Sequence, residues 1–158
     1  MFVCTANRIR SPLAEHLLRR RLANDPSTAA WRVESAGAWT SPDLPALTAA
    51  VQAGAELGVD LSAHRSRRVE DLNLRNFDLI LTMERGQRDA LRVEHPYVAE
   101  RIVTLSEATT GYDADVADPP GHTLASIRIT ARQLDDLLGR GNLRIVRAVG
   151  GGLSTGLG

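Results

Sequence analysis

The sequence predicts one α/β domain: a four-stranded parallel sheet flanked by helices on both faces, a single Rossmann-like unit. Short apolar runs alternate along the chain with stripes of helical period, as successive right-handed βαβ units require. The run Phe77-Asp78-Leu79-Ile80-Leu81-Thr82-Met83 is largely apolar rather than alternating, as in a strand covered on both faces. Turn formers such as Asn24-Asp25-Pro26 and Ala36-Gly37 separate the segments.

Phe2-Val3 is a very short first strand that reaches Cys4 at once. Ser11-Pro12 then reads as a helix start, with Ser11 at the N-cap and Pro12 at the first helical position. Leu13, Leu17, Leu18 and Leu22 give that helix an apolar face, and Arg19-Arg20-Arg21 suit its negative end. Trp31 to Ser35 alternates as a strand and stops at Ala36-Gly37. After a turn-rich loop, Ser41 to Pro45, the positions Leu47, Val51, Gly54 and Leu57 mark a second helix closed by Gly58. Phe77–Met83 is the third strand, Glu84 to Val93 a third helix, and Ile102 to Leu105 the fourth strand. Ser106 to Thr123 carries Gly111, Pro119, Pro120 and Gly121 and reads as a long loop, of a length usually tied to function or disorder. Leu124, Ile127, Ala131, Leu134 and Leu138 mark a last amphipathic helix, stopped by Gly139 and Gly141. The domain is therefore expected over residues 1–141, with 142–158 a disordered tail.

At 158 residues, 43% apolar and 24% charged, the chain is long enough for a proper core and ordinary for a soluble globular protein. Nineteen basic residues balance nineteen acidic ones, so no net field favours nucleic acid or a membrane surface. No apolar run is long enough to span a bilayer, and the first residues show no targeting leader, so a cytoplasmic protein is expected. Every basic residue is arginine, which removes lysine as a Schiff-base former or Walker-type phosphate ligand. The single cysteine, Cys4, excludes an internal disulfide and a four-cysteine zinc site, and no metal or cofactor is expected. A lone cysteine is most often a small buried apolar group. Its neighbours must argue otherwise.

They do. A phosphoryl group needs convergent donors and positive charge, and a short loop between a strand and a helix N-terminus supplies both. Cys4 and Arg10 are six positions apart and bracket such a loop, Cys4-Thr5-Ala6-Asn7-Arg8-Ile9-Arg10-Ser11. The guanidinium of Arg10 is a planar fork that grips two phosphate oxygens, and the same field favours a thiolate over a thiol. In parallel sheets ligands sit beyond the carboxyl ends of the strands, where Cys4, Ser35 and Met83 are expected to meet.

Val3 to Pro12 with Ala14-Glu15, Trp31 to Gly37, Gly58 to His64, Phe77 to Met83 and Asp118-Pro119 together resemble the low-molecular-weight protein tyrosine phosphatase family, over roughly residues 2–138. The resemblance implies hydrolysis of protein phosphotyrosine in two steps, through a phosphocysteine on Cys4. Arg10 holds the phosphoryl oxygens and Asp118 serves as general acid and then base. Thr5, Ala6, Asn7, Arg8, Ile9 and Ser11 complete the phosphate loop, and Asn7, Ser11, Ser35 and His64 form a supporting network. By position alone, Asp113 and Asp115 compete with Asp118; the proline after Asp118 favours it by restricting its backbone. Trp39 resembles an aromatic lip for the substrate ring, with core packing as its rival. His16, His95 and His122 lack a comparable context and read as solvated. A phosphotyrosine protein, and through it a bacterial tyrosine kinase, are the implied partners, the chain itself a monomer or weak dimer.

Three departures from the family pattern bear on substrate and redox behaviour. Pro120-Gly121 stands where many members carry tyrosines, which weakens a phosphotyrosine preference. Ile9 stands where many carry a second cysteine, so no disulfide can protect Cys4. Arg8 places a cation at the loop rim, expected to repel a phosphoarginine guanidinium and favour acidic substrates. The competing readings are a phosphoarginine or small-molecule phosphatase and a phosphate-binding module with impaired turnover. Arsenate reduction needs two further cysteines and is disfavoured.

Overall fold

The computed structural model describes residues 1–150. Strands β1 (Phe2–Cys4), β2 (Ser35–Gly37), β3 (Ile80–Thr82) and β4 (Ile102–Thr104) form one parallel sheet in the order β2-β1-β3-β4. Helices α1 (Arg10–Leu22), α2 (Thr48–Glu56), α3 (Arg85–Glu94), α4 (Leu105–Thr110) and α5 (Leu124–Gly150) surround it. Strand side chains alternate between two cores. Phe2, Cys4 and Leu81 pack with Leu13, Leu17, Leu105, Ile127 and Leu134, from α1, α4 and α5. Val3, Ala36 and Ile80 pack on the other face with Val69, Leu74, Leu91 and Ile102. Each of the larger aliphatic and aromatic side chains contributes about 1.5–3 kcal/mol on burial. Helices therefore cover both faces, as the apolar run of β3 predicts.

The strands are three residues long, shorter than the sequence predicts. Trp31 to Glu34 leads into β2 as irregular backbone, and the Val33 carbonyl accepts from the Arg19 side chain at 2.9 Å instead of from a neighbouring strand. Ser35 is thus the first residue of β2, opposite Phe2, rather than at its carboxyl end. Likewise Leu74–Asn76 is a 3-10 turn, and pairing in β3 begins only at Ile80. Helix α1 begins at Arg10, with Ile9 at its cap and no side-chain cap bond. Pro12 falls within the first turn, where its missing N–H costs nothing, and the Ser11 hydroxyl is free for other partners.

Two larger corrections lie on the carboxyl side. The expected long loop opens instead with α4, capped by Thr104 Oγ1 accepting from the Glu107 amide at 3.1 Å and closed by Gly111 in the left-handed region. Thr104-x-x-Glu107 has the spacing of a capping box, a signal outweighed in the sequence by the glycines and prolines around it. Helix α5 passes through both Gly139 and Gly141 and continues through residues 142–150, where glycine content predicts a loose tail. Gly141 is no stop signal. A Cβ there would lie 2.3 Å from Thr109 Cβ, so glycine lets α4 and α5 approach closely. Beyond it Ile145 is buried, continuing the helical stripe of Leu134 and Leu138. The expectation of disorder for 151–158 falls outside the described residues. Among the described residues no helix is long and apolar enough to cross a membrane.

Candidate active site

Cys4 ends β1, and the chain leaves the sheet there into the loop that α1 closes. The Asn7 backbone amide donates to Cys4 Sγ at 3.3 Å, and Ser11 Oγ lies 3.0 Å from the same sulfur. Ser11 accepts from Asn7 Nδ2 at 2.9 Å and has one proton to give. That proton has two acceptors in reach, the sulfur and the Ala36 carbonyl at 3.3 Å, and a thiolate, which can only accept, would draw it to sulfur.

Asn7 organises the turn. Its φ of 54° is left-handed, a region asparagine tolerates better than most residues. Its fully buried side chain bonds Ser11 and, at 2.8 Å, Ser35 Oγ, while Oδ1 accepts from the Arg67 amide at 2.9 Å. Ser35 in turn donates to the buried Glu15, which Arg19 pairs at 2.8 Å. The Asn7 carbonyl accepts from His64 Nε2 at 2.7 Å. Burial pushes the His64 pKa below its ordinary value, opposed by that backbone hydrogen bond, so the neutral ring is favoured with its proton on Nε2. Asn7, Ser11, Ser35 and His64 thus form one connected network, including Ser35 despite its place at the start of its strand.

The rest of the loop is held by its neighbours. Gly37 is required because a Cβ would fall 2.9 Å from the Thr5 carbonyl oxygen. The Ala38 and Trp39 amides donate to the carbonyls of Cys4 and Thr5 at 2.8 and 2.9 Å, extending the β1–β2 pairing into the loop. Trp39 is 86% exposed beside the loop, so the core-packing alternative fails. Thr5 and Ala6 are exposed, Ile9 is buried in the core, and half-buried Arg8 is tied by Nε to the Pro45 carbonyl at 2.8 Å.

Arg10 is 1% exposed, and a buried cation requires partners. Nη1 bonds Glu84 and the Val116 carbonyl, the latter at 2.9 Å; Nη2 reaches Thr5 Oγ1 at 3.3 Å and Asp118 Oδ1 at 2.9 Å. Nε is a buried donor with no partner. An orphan donor of this kind costs about 1–3 kcal/mol unless an acceptor arrives, and beside an anion cradle the fitting acceptor is an oxyanion.

The three candidate acids separate by geometry. Asp113 is engaged by Arg88 at 2.6 Å and Thr104 at 3.0 Å, and Asp115 by the Arg85 amide at 2.8 Å and Nε at 3.2 Å. These bonds to Arg88 and Arg85 hold both carboxyls below the usual carboxylate range. Asp118 instead meets Arg10 in the loop, brought there by Val116, whose amide donates to the Met83 carbonyl at 2.7 Å.

Sequence reasoning missed several contributors. Glu84 and Gln87 cap α3 reciprocally, and Gln87 Nε2 also donates to Thr5 Oγ1 at 3.1 Å. Their spacing, an acidic residue followed three positions later by glutamine, was a legible cap signal, but nothing local ties it to Arg10 or Thr5. His122 is not simply solvated: its Nε2 lies 2.6 Å from Asp118 Oδ2. A separate cleft of about 400 Å³, lined by Met1, Trp31, Val33, Phe77 and Val149, opens at the amino ends of the strands and contains neither Cys4 nor Arg10.

The described arrangement can bind a tetrahedral dianion over a cysteine sulfur with a carboxyl group at hand. The family model for low molecular weight phosphotyrosine protein phosphatase matches residues 1–140. A protein-arginine-phosphatase of Bacillus subtilis is 32% identical over 138 residues, covering 87% of this chain and 90% of the relative. A probable low molecular weight protein-tyrosine-phosphatase, EpsP, of Ralstonia nicotianae is 34% identical over 119 residues, 75% of this chain and 76% of its own length. The solved YwlE arginine phosphatase from Geobacillus stearothermophilus superposes with a TM-score of 0.81 at 28% identity, over 92% of each chain. With a match that runs from the first strand into the last helix, the chain belongs to the low molecular weight phosphotyrosine protein phosphatase family.

Proposed function

We propose that this member of the family hydrolyses phosphotyrosine on proteins in the cytoplasm, opposing a bacterial tyrosine kinase, through a phosphocysteine on Cys4. The observation that carries the reading is the placing of the Cys4 sulfur beneath inward-facing donors, with Arg10 buried beside it and one of its nitrogens unpartnered. In the first step the sulfur lone pair attacks phosphorus, the bond to the phenolic oxygen breaks, and Asp118 gives that oxygen a proton. A phenol holds its proton up to a pH of about 10, so the leaving group gains from the transfer at neutral pH. In the second step water attacks phosphorus, its proton passes to the Asp118 carboxylate, and the S–P bond breaks to release inorganic phosphate. Arg10 and the loop amides bind the equatorial oxygens in both.

The test is hydrolysis of para-nitrophenyl phosphate without added metal. Cys4→Ser is expected to abolish turnover, and Asp118→Ala to lower it by about 10²–10⁴-fold, the usual worth of general acid catalysis. Activity that persists in Cys4→Ser would overturn the mechanism.

A second reading, phosphoarginine as substrate, is favoured by the arginine phosphatases among the relatives. Against it stands Arg8, a cation in the same loop, tied by Nε to the Pro45 carbonyl, that would repel a substrate guanidinium brought close to it. A panel of phosphotyrosine and phosphoarginine peptides, read with wild type and Arg8→Ala, separates the two. Tyrosine preference in wild type that relaxes in Arg8→Ala supports the first reading; an unchanged ranking removes Arg8 from specificity.

A further inference from the structure

We propose that His122 is a positioning residue for Asp118, fixing which carboxylate oxygen carries the catalytic proton; this rests on Asp118 as the proton donor above. Asp118 is held at both ends. Oδ2 faces His122 Nε2 at 2.6 Å, and Oδ1 faces Arg10 Nη2 at 2.9 Å. With Oδ2 occupied by the imidazole N–H, Oδ1 is the oxygen turned toward the phosphate loop. When a phosphoryl dianion takes over the Arg10 contact, Oδ1 is released where it can deliver a proton, while His122 keeps the carboxyl group from rotating away.

The backbone is shaped for this contact. After Pro119 and Pro120, Gly121 (φ 63°) and His122 (φ 50°) are both left-handed, and the His122 amide lies 3.2 Å from the Pro119 carbonyl. This reversal brings the ring back onto the carboxylate four residues earlier. Histidine tolerates that region better than most side chains but still not freely. Among the described residues only Asn7, Asp43 and His122 adopt it without being glycine, and Asn7 is the organiser of the phosphate loop. Side chains of His122 and Asp118 are each about half exposed, at 50% and 49%, so their pairing adds little to stability. A strained turn that returns little stability points to a functional use. The charged groups on the pair are Arg10 and, through the other arm of Arg10, Glu84.

The test compares kcat/KM for phenyl phosphate, whose leaving group needs a proton, with 2,4-dinitrophenyl phosphate, whose leaving group does not. His122→Ala should lower the first by about 10–100-fold, the upper end being the scale of a catalytic group misplaced by about 1 Å, and change the second by less than about twofold. His122→Gln, whose amide nitrogen reaches as far as Nε2, should restore phenyl phosphate hydrolysis. An equal loss on both substrates, no loss on phenyl phosphate, or a glutamine variant as slow as alanine would each overturn the positioning role. Asp118→Ala run alongside separates the layers: if it hydrolyses phenyl phosphate normally, the proposed acid itself fails and the role of His122 with it. Independently of turnover, nitrogen-15 NMR of the free protein near pH 8.5 should find the His122 proton on Nε2, with a signal that moves in Asp118→Asn; a proton on Nδ1 would overturn the proposal.

Discussion

Replacing Asn7 by alanine tests the organisation of the loop most directly. The side chain makes three buried or part-buried hydrogen bonds, to Ser11 Oγ, Ser35 Oγ and the Arg67 amide, at 2.9, 2.8 and 2.9 Å. At a net worth of about 1 kcal/mol each, their loss amounts to about 3 kcal/mol. Alanine at the observed φ of 54° adds about 1–2 kcal/mol of left-handed strain. A total near 4 kcal/mol is a large share of the ~5–15 kcal/mol by which domains are stable, and in a chain of this size it lowers the melting temperature by about 10 °C. Asn7→Gly isolates the backbone contribution, since glycine accepts the same φ without strain. Its greater freedom when unfolded takes back part of the gain, leaving it about 1 kcal/mol more stable than the alanine variant. Both variants should also lose phosphatase activity, because the Asn7 amide and Ser11 hydroxyl are placed on the sulfur by this network. Urea unfolding and thermal melts read the first effect, and kcat/KM on an aryl phosphate reads the second. Alanine and glycine variants that melt within a degree of wild type would refute the assignment of Asn7 as organiser.

Gly141→Ala puts a Cβ 2.3 Å from Thr109 Cβ and 2.5 Å from its Cα, so α4 and α5 must separate; a destabilisation of about 1–3 kcal/mol is expected from overpacking, where a frayed tail would tolerate or welcome alanine. Because burial depresses the folded-state pKa of His64, the unfolded chain takes up that proton first as pH falls. The stability tied to His64 is therefore complete above about pH 6.5 and declines as pH drops below it toward the folded value; His64→Gln, which keeps a donor near the Asn7 carbonyl, should flatten that part of the melting curve against pH. Cys4 is the chain's one cysteine, and Ile9 offers no resolving thiol. Prolonged peroxide should carry the sulfur past the sulfenic state, and mass spectrometry should find sulfinic or sulfonic acid; full recovery of activity by reductant alone would contradict this.

The arginine fork and the cysteine six residues before it, together with the order of strand and helix signals, were legible in the sequence because they are local. Loop length, helix start and residue type all sit within Val3 to Pro12, and an anion cradle is a local device. Asp118 was separable from Asp113 and Asp115 only by its proline and by resemblance. Space separates them physically, since Arg88 and Arg85 engage the two rivals while Asp118 meets Arg10. Glu84, Gln87 and His122 escaped because their partners, Arg10, Thr5 and Asp118, are set by the meeting of loops rather than by any spacing along the chain.

By itself the sequence determined the layered α/β architecture and the Cys4-to-Arg10 loop between β1 and α1, since hydrophobic period and a short strand-to-helix turn act over a few residues. Only the tertiary structure decided that α5 runs on through Gly139 and Gly141, which carboxylate meets Arg10 and what holds it. A glycine that reads as a stop along the chain becomes, against Thr109, the contact that lets two helices touch, and an exposed-looking histidine becomes the partner of Asp118. Both outcomes depend on side chains distant in sequence that only the folded packing brings within a few ångströms.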